Sequence, residues 1–281
     1  MKFRRTSSLF FAPDGTPPDQ ALARTTHLGI GAHQDDLESI AIPGILTCYQ
    51  DPERWFTGVV VTDGAGAPRT GRYRSLSPED LVRLRHQEQK EAARLGEYSG
   101  VFLLNHPSTA VKNTAPDDVI HDLQSLIRRT QPTIIYTHNP LDKHPTHVAV
   151  AIRTLQALRG LPPALHPEKL YGVEFWRGLA WLPPPWKVTF NCSQRIDLQR
   201  KLLDVFQSQN AVKDYPQAVM ARRLANAVFA ESHQPDREKA LVYGLDLTPL
   251  LHQDHLSLPD YALSAVDELH KQFQVTFQDL I

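Results

Sequence analysis

In the stretch LGIGAHQDDLESI (residues 28–40), His33, Asp35 and Asp36 follow directly on a short apolar run. Neighbouring like charges repel, and carboxylates are rarely buried without a partner. A divalent cation answers that problem, because a carboxylate and neutral imidazoles are ordinary zinc ligands. Across a tight turn His33 and Asp36 converge on one point, while Asp35 points elsewhere. A second cluster, HNPLDKHPTH (138–147), offers His138, His144 and His147 as the source of a further ligand. Three protein ligands and one open position are the pattern of catalytic zinc, whereas structural zinc is usually closed by four. Either cluster alone is a weak signal, since His-x-x-Asp arises by chance and His144 and His147 also suit a helix N-terminus. Their combination carries the reading. GIGAHQ is not a dinucleotide fingerprint, because Gln34 stands where the third glycine belongs.

The elements that must hold these residues alternate along the chain. Apolar runs bounded by turn signals predict strands at 26–32, 55–63, 99–105 and 132–140, with a further strand at 169–176. A helix is expected over 78–95: Ser77 suits its N-cap, Pro78 its first position and Gly96 its end. Helices are also expected at 116–130 and 144–160, then around 195–209, 216–231 and 259–273. This alternation predicts an α/β fold, a Rossmann-like, mostly parallel sheet with helices on both faces plus a loop-rich and helical C-terminal part. Both clusters then fall at carboxyl ends of strands, where open parallel sheets bind ligands. The expected organisation is an N-terminal extension (1–25), a catalytic domain (26–210) and a C-terminal elaboration of that domain (211–281). A glycine-rich loop (63–78) carrying RTGRYR is a candidate lid, with Arg69, Arg72 and Arg74 on it; a solvated surface loop reads equally well.

Composition narrows the class. A hydrophobic fraction of 41% and a charged fraction of 22% suit a globular protein with a real core. The net charge of -1 provides no basic field for nucleic acid or an anionic membrane. Cys48 and Cys192 are too few and too far apart for a disulfide framework or a cysteine zinc site. No apolar run approaches the ~20 residues of a membrane span. The N-terminal MKFRRTSSLFFAPDG lacks the ~7–15 apolar residues of a signal sequence, so a cytoplasmic location is expected.

The motifs resemble the zinc-dependent de-N-acetylases of the GlcNAc-phosphatidylinositol de-N-acetylase (PIG-L/LmbE-like) type. That family's A-H-P-D-D-x-E appears here as AHQDDLE, and its H-P-D-H as HPTH. Thr62-Asp63-Gly64 matches a T-D-G turn, Arg85 and Glu88 an R-x-x-E pair, and Lys201 with Ser208-Gln209 a later K then S-Q pattern. The likeness covers about the first 210 residues. It implies Zn2+, or another divalent metal such as Fe2+, held by His33, Asp36 and His147. It implies that Asp35 is the general base activating water, and that His144 stabilises the oxyanion and protonates the leaving amine. The chemistry is consistent: zinc brings its water to a pKa near 7, and histidine titrates where an amine needs a proton. Gln34 replaces a proline and Thr146 an aspartate, which leaves the ligands intact but removes a charge near His144.

The resemblance implies an amino-sugar small molecule with an N-acetyl group as substrate, hydrolysed by metal-activated water. Arg85 and Lys143 are the candidate substrate-binding residues, placed to meet an anionic aglycone. Two alternatives remain at this level: a metal-dependent amidase of a thiol or sugar conjugate, and a non-catalytic sugar- or metal-binding protein on the same scaffold. Retention of Asp35 speaks against the second, because a base that is no ligand has little purpose in a binder. No nucleic-acid partner is expected, and homo-oligomerisation is left open.

Overall fold

Every strand expected from an apolar run forms, and three more join them. A computed structural model describes residues 3–113, 117–253 and 255–281. The chain begins with β1 (Leu9–Phe11) and α1 (Pro18–Ala23), then β2 (His27–Gly31), α2 (Leu37–Ile40), α3 (Ile42–Cys48) and β3 (Phe56–Thr62). It continues through α4 (Pro78–Leu95), β4 (Gly100–His106), α5 (Ser108–Lys112), α6 (Asp117–Thr130), β5 (Ile134–His138) and α7 (Pro145–Arg159). Next come β6 (Lys169–Val173), β7 (Lys187–Asn191), α8 (Ile196–Asp204), α9 (Gln207–Asn210) and α10 (Tyr215–Val228). The chain closes with β8 (Leu241–Asp246), α11 (Pro249–His252) and α12 (Leu258–Leu280). Position 116, where the sequence starts the sixth helix, lies outside the described residues.

One eight-stranded sheet runs in the order β1-β4-β3-β2-β5-β6-β8-β7. Its five central strands are parallel, while β1, β8 and β7 pair antiparallel at the two sides. Side chains alternate across it as the pleat requires. On β3, Val59 and Val61 face one core with Leu123 and Ile127 of α6 and Val150 of α7. Phe56 and Val60 face the other, with Ile40, Ile45 and Phe206. Each such buried aliphatic or aromatic side chain contributes about 1.5–3 kcal/mol. Coverage on both faces explains why the strands read as continuous apolar runs.

Local signals set the helix ends. Ser77 Oγ accepts from the Asp80 N–H, and Pro78 opens α4, as the sequence predicts. The helix expected over 195–209 instead breaks after Asp204. Phe206 turns fully into the core there, at φ −82° and ψ 60°, and this tertiary anchor overrides helix propensity. Helix α12 runs past its expected end because no glycine or proline follows Pro259 to stop it. No helix among the described residues is long and apolar enough to cross a membrane.

Glycines in β2 bring the first cluster against the sheet. A Cβ on Gly31 would meet the Asp36 Cβ at 3.0 Å, and one on Gly29 would meet the Phe56 ring at 2.7 Å. Larger residues there would push the turn carrying Asp36 off the strand end.

Candidate metal centre and active site

The turn after β2 presents His33, Asp35 and Asp36 at the carboxyl edge, and the β5–α7 loop brings His138, Asp142, His144 and His147 to meet them. The first turn is tied by its own aspartate: the His33 N–H donates to Asp36 Oδ2 at 2.6 Å. Asp35 between them has a left-handed backbone, φ 95°. Strain of this kind in a non-glycine residue is held by its surroundings and gathers at functional sites.

Gln34 explains itself here. Its side-chain amide donates to the carbonyls of Thr62 (3.4 Å) and Asp63 (3.5 Å), and its main-chain carbonyl accepts from the Gln209 side-chain amide at 3.2 Å. It therefore ties the turn to the end of β3 and to α9. Glu88 adds a second tie, accepting from the Ser208 N–H (2.8 Å) and hydroxyl (2.6 Å). The Arg85/Glu88 and Ser208-Gln209 patterns of the sequence are thus two halves of one contact.

Three groups able to ligate a metal converge. His33 Nδ1 lies 3.3 Å from Asp36 Oδ2 and 3.3 Å from His147 Nε2, which is 3.5 Å from Asp36 Oδ1. Tetrahedral bonds of ~2.0–2.2 Å give ligand-to-ligand edges of about 3.3–3.6 Å, so the donor atoms have the spacing of a zinc-sized cation. Protonation states agree with that. Burial alone would raise the Asp36 carboxyl, but the His147 and His138 rings outweigh it and hold the carboxyl well below its ordinary range. Burial first, then the neighbouring His138, pulls His147 down to about 3, leaving the neutral imidazole a metal requires.

Asp142 is the site residue that the pattern of histidines conceals. Its Oδ2 accepts from the Trp176 N–H at 3.2 Å and faces His147 Nδ1 at 3.4 Å. Its Oδ1 accepts from the amides of Lys143 and His144. A carboxylate on the far nitrogen of a ligating histidine fixes its tautomer and leaves Nε2 free to ligate. The spacing P-L-D-K-H contains the signal, an acid shortly before the histidine pair. Thr146 is buried beside the cavity, so the negative neighbour of this loop is Asp142.

His138, His147 and Asp142 form a second grouping of possible ligand atoms within 4.8 Å. His138 Nε2 lies 3.1 Å from Asp36 Oδ2 and 3.0 Å from the Ala32 N–H, while its buried Nδ1 has no partner. The Ala32 N–H can only donate, so Nε2 accepts from it, and the same nitrogen lies against the Asp36 carboxylate. The ring braces the carboxylate.

Asp35, Arg85, His144, Thr146 and Tyr215 line a cavity of about 460 Å³ with the convergent cluster at its wall. Burial, reinforced by Asp36, raises the Asp35 carboxyl well above its usual value. His144 caps the start of α7, and its ring stacks on His147 with centroids 4.4 Å apart. Burial and the adjacent His33 lower its pKa. Arg85, 1% exposed, donates through Nη1 to the Gly64 carbonyl at 2.9 Å, yet its Nε and Nη2 have no partner.

Lys143 is placed differently. It is exposed and does not line the cavity, where Lys112 and Lys213 stand instead. Nor do the loop arginines reach it: Arg69 donates to the Leu76 carbonyl at 2.6 Å and Arg72 to the Tyr73 hydroxyl at 2.5 Å. The same loop contributes Gly66, Ala67 and Pro68 to the cavity wall. Kinetics should separate the two sequence candidates. Arg85→Ala, with its unpartnered nitrogens, is expected to lower kcat/KM ~10–100-fold, the scale of a lost charge-assisted hydrogen bond. Lys143→Ala should stay within about twofold. Equal effects of the two substitutions would reject this division.

Glu38 gives the site a stability signature. It accepts from the Tyr98 hydroxyl and the Gln89 amide, both at 2.8 Å, and burial pushes its carboxyl up to about 7. The unfolded chain releases that proton near the ordinary glutamate value of 4.5. The native state therefore holds the proton more tightly, and the contribution is complete below about 4.5 and lost as pH rises through about 7. The interval of roughly 2.5 units corresponds to a loss on the order of 3 kcal/mol. Glu38→Gln cannot ionise, so wild type should lose stability relative to it between pH 5 and 8.5. Denaturation curves that stay parallel across that range would contradict this.

An α/β sheet with a His/Asp cluster of metal-ligand spacing at its carboxyl edge defines the class. Residues 28–158 match the PIG-L family model, described as GlcNAc-PI de-N-acetylase. N,N'-diacetylchitobiose deacetylase from Pyrococcus horikoshii aligns with a TM-score of 0.64 and 18% identity, over 82% of this chain and 86% of its own. GalB, the 4-carboxy-2-hydroxymuconate hydratase from Pseudomonas putida KT2440, aligns at 0.60 and 16%, over 79% and 95%. The A40926 pseudoaglycone deacetylase Dbv21 aligns at 0.59 and 20%, over 79% and 97%. At these identities the likeness establishes a shared fold. A hydratase shares it with deacetylases, so the reaction has to be argued from the site. A search of curated protein sequences returns no significant match.

Proposed function

We propose that this protein is a metal-dependent N-deacetylase that hydrolyses the acetamide of an N-acetylglucosaminyl-type compound. The observation that carries the reading is the convergence of His33 Nδ1, His147 Nε2 and the Asp36 carboxylate, the rings 3.3 Å apart and 3.3 and 3.5 Å from its two oxygens, beside a carboxyl outside that group. The family match and the deacetylases of the same fold support the reaction class. A divalent metal held by those three residues, Zn2+ first among them, supplies a Lewis acid for the amide carbonyl and acidifies water.

The chain's own groups do the rest. Asp35 takes the proton from the attacking water, as a carboxyl that lines the cavity outside the His33/Asp36/His147 group. Attack at the carbonyl carbon places negative charge on the oxygen, and His144 is the ring available to stabilise it. The C–N bond then breaks, His144 gives its proton to the departing nitrogen, and acetate and a free amine result. Asp142 holds His147, and His138 holds Asp36. The free Arg85 nitrogens offer donors to substrate oxygens.

The test is amine and acetate release from N-acetylglucosamine compounds by the full chain, loaded with Zn2+ or Fe2+. Release should stop with a chelator and return on adding the metal back. Metal-dependent cleavage of other amides without acetate release would favour a broader amidase. Stoichiometric metal with no turnover on any amide would favour a binding protein.

A further inference from the structure

A second hollow of about 370 Å³ opens beside the catalytic cavity, and the two share Phe175, Trp176, Lys213 and Tyr215. Ala218 and Val219 of α10 supply its outer wall. The shared wall is aromatic. Trp176 meets Tyr215 edge to face with centroids 6.2 Å apart, and Phe175 lies 6.3 Å from the same tyrosine. Phe175 also stacks on His147 at 5.6 Å, so the wall is continuous with the metal-ligating cluster.

Each charged side chain around this bay already has one neighbour. Arg222 donates to the Phe175 carbonyl. Asp214 caps α10 by accepting from the Gln217 N–H at 3.2 Å, and the Lys213 ammonium sits 5.7 Å over the Trp176 ring. What faces the bay is ring surface and the small side chains of Ala218 and Val219. Aromatic faces beside aliphatic carbon suit a flat apolar ring. Because the bay shares these four residues with the catalytic cavity, a group in it adjoins a molecule bound for deacetylation.

Resting on the deacetylase reading, we infer that the substrate is an N-acetylated amino sugar with an aryl aglycone, seated between Trp176, Tyr215 and Val219. The sugar's amide lies at the His33/Asp36/His147 cluster and the aglycone ring fills the bay.

Methyl and phenyl β-glycosides of N-acetylglucosamine test this, since they differ only in the ring. The metal-loaded full chain is expected to favour the phenyl compound ~3–10-fold in kcat/KM, the range of an aromatic contact. Ala218→Trp, which fills the bay from outside the catalytic residues, and Trp176→Ala, which removes its wall, should each bring that ratio close to one. Binding of both glycosides to Asp35→Asn, measured by calorimetry, should show the same preference and the same loss. A ratio near one in the unaltered protein, or a preference that survives both substitutions, overturns the inference. Failure of the deacetylase reading would look different: neither glycoside would release amine, and the calorimetric preference would still decide whether the bay takes an aryl group.

Discussion

Asp35→Asn is expected to keep its metal and lose turnover by ~10²–10⁴-fold, the usual cost of removing a general base. The substitution preserves size and leaves the backbone contact of residue 35 with Gln89 in place. It also exchanges one neutral group for another in the metal-free protein, where burial and Asp36 already keep the Asp35 carboxyl protonated over an extended range. Stability should therefore change little. The measurement is turnover and metal content on one preparation. Normal turnover would remove Asp35 from the base role, and loss of the metal would make it a ligand.

His147→Ala is expected to abolish stoichiometric metal binding and, with it, activity by about 10³-fold or more, because a Lewis acid contributes several kcal/mol. The ring is 1% exposed and touches both the Asp36 and Asp142 carboxylates. Removing it leaves two buried acids short of a partner, which costs about 1–3 kcal/mol each. A melt of the chelated wild type beside the variant separates that loss from loss of the metal. Zinc retained at about one per chain after dialysis would exclude His147 from the ligand set.

These two substitutions differ in kind, and the difference is what a shared fold cannot supply. A hydratase and deacetylases occupy the same sheet architecture. A carboxyl outside the His33/Asp36/His147 group and a histidine at the head of α7 are properties of particular residues, and so is the partly unpartnered Arg85. On the deacetylase reading they set the reaction, while the sheet only sets where it can happen.

Much of this was legible along the chain. Buried parallel strands must be apolar on both faces, so β2 to β6 announced themselves as runs, and α4 was marked by Ser77, Pro78 and Gly96. The cluster His33, Asp35, Asp36 was legible because two adjacent acids after a buried strand demand a counter-charge. The edge elements were not. β1 pairs with β4 from the N-terminal segment, and β7 and β8 pair antiparallel beyond β6. Their short partly exposed or Gly-interrupted runs show no period that separates strand from loop. Long-range geometry was equally silent. That Asp142 rather than residue 146 carries the negative charge beside the histidines follows from how the loop folds over β5 and Trp176. Likewise Lys143 and Arg85 look alike as cations. The packing of α4 buries one with two nitrogens unspent, while the turn before α7 sends the other into solvent. Spacing along a chain specifies which side chains share a turn; which of them share a cavity depends on contacts more than a hundred residues apart, such as that of His33 with His147 at a separation of 114.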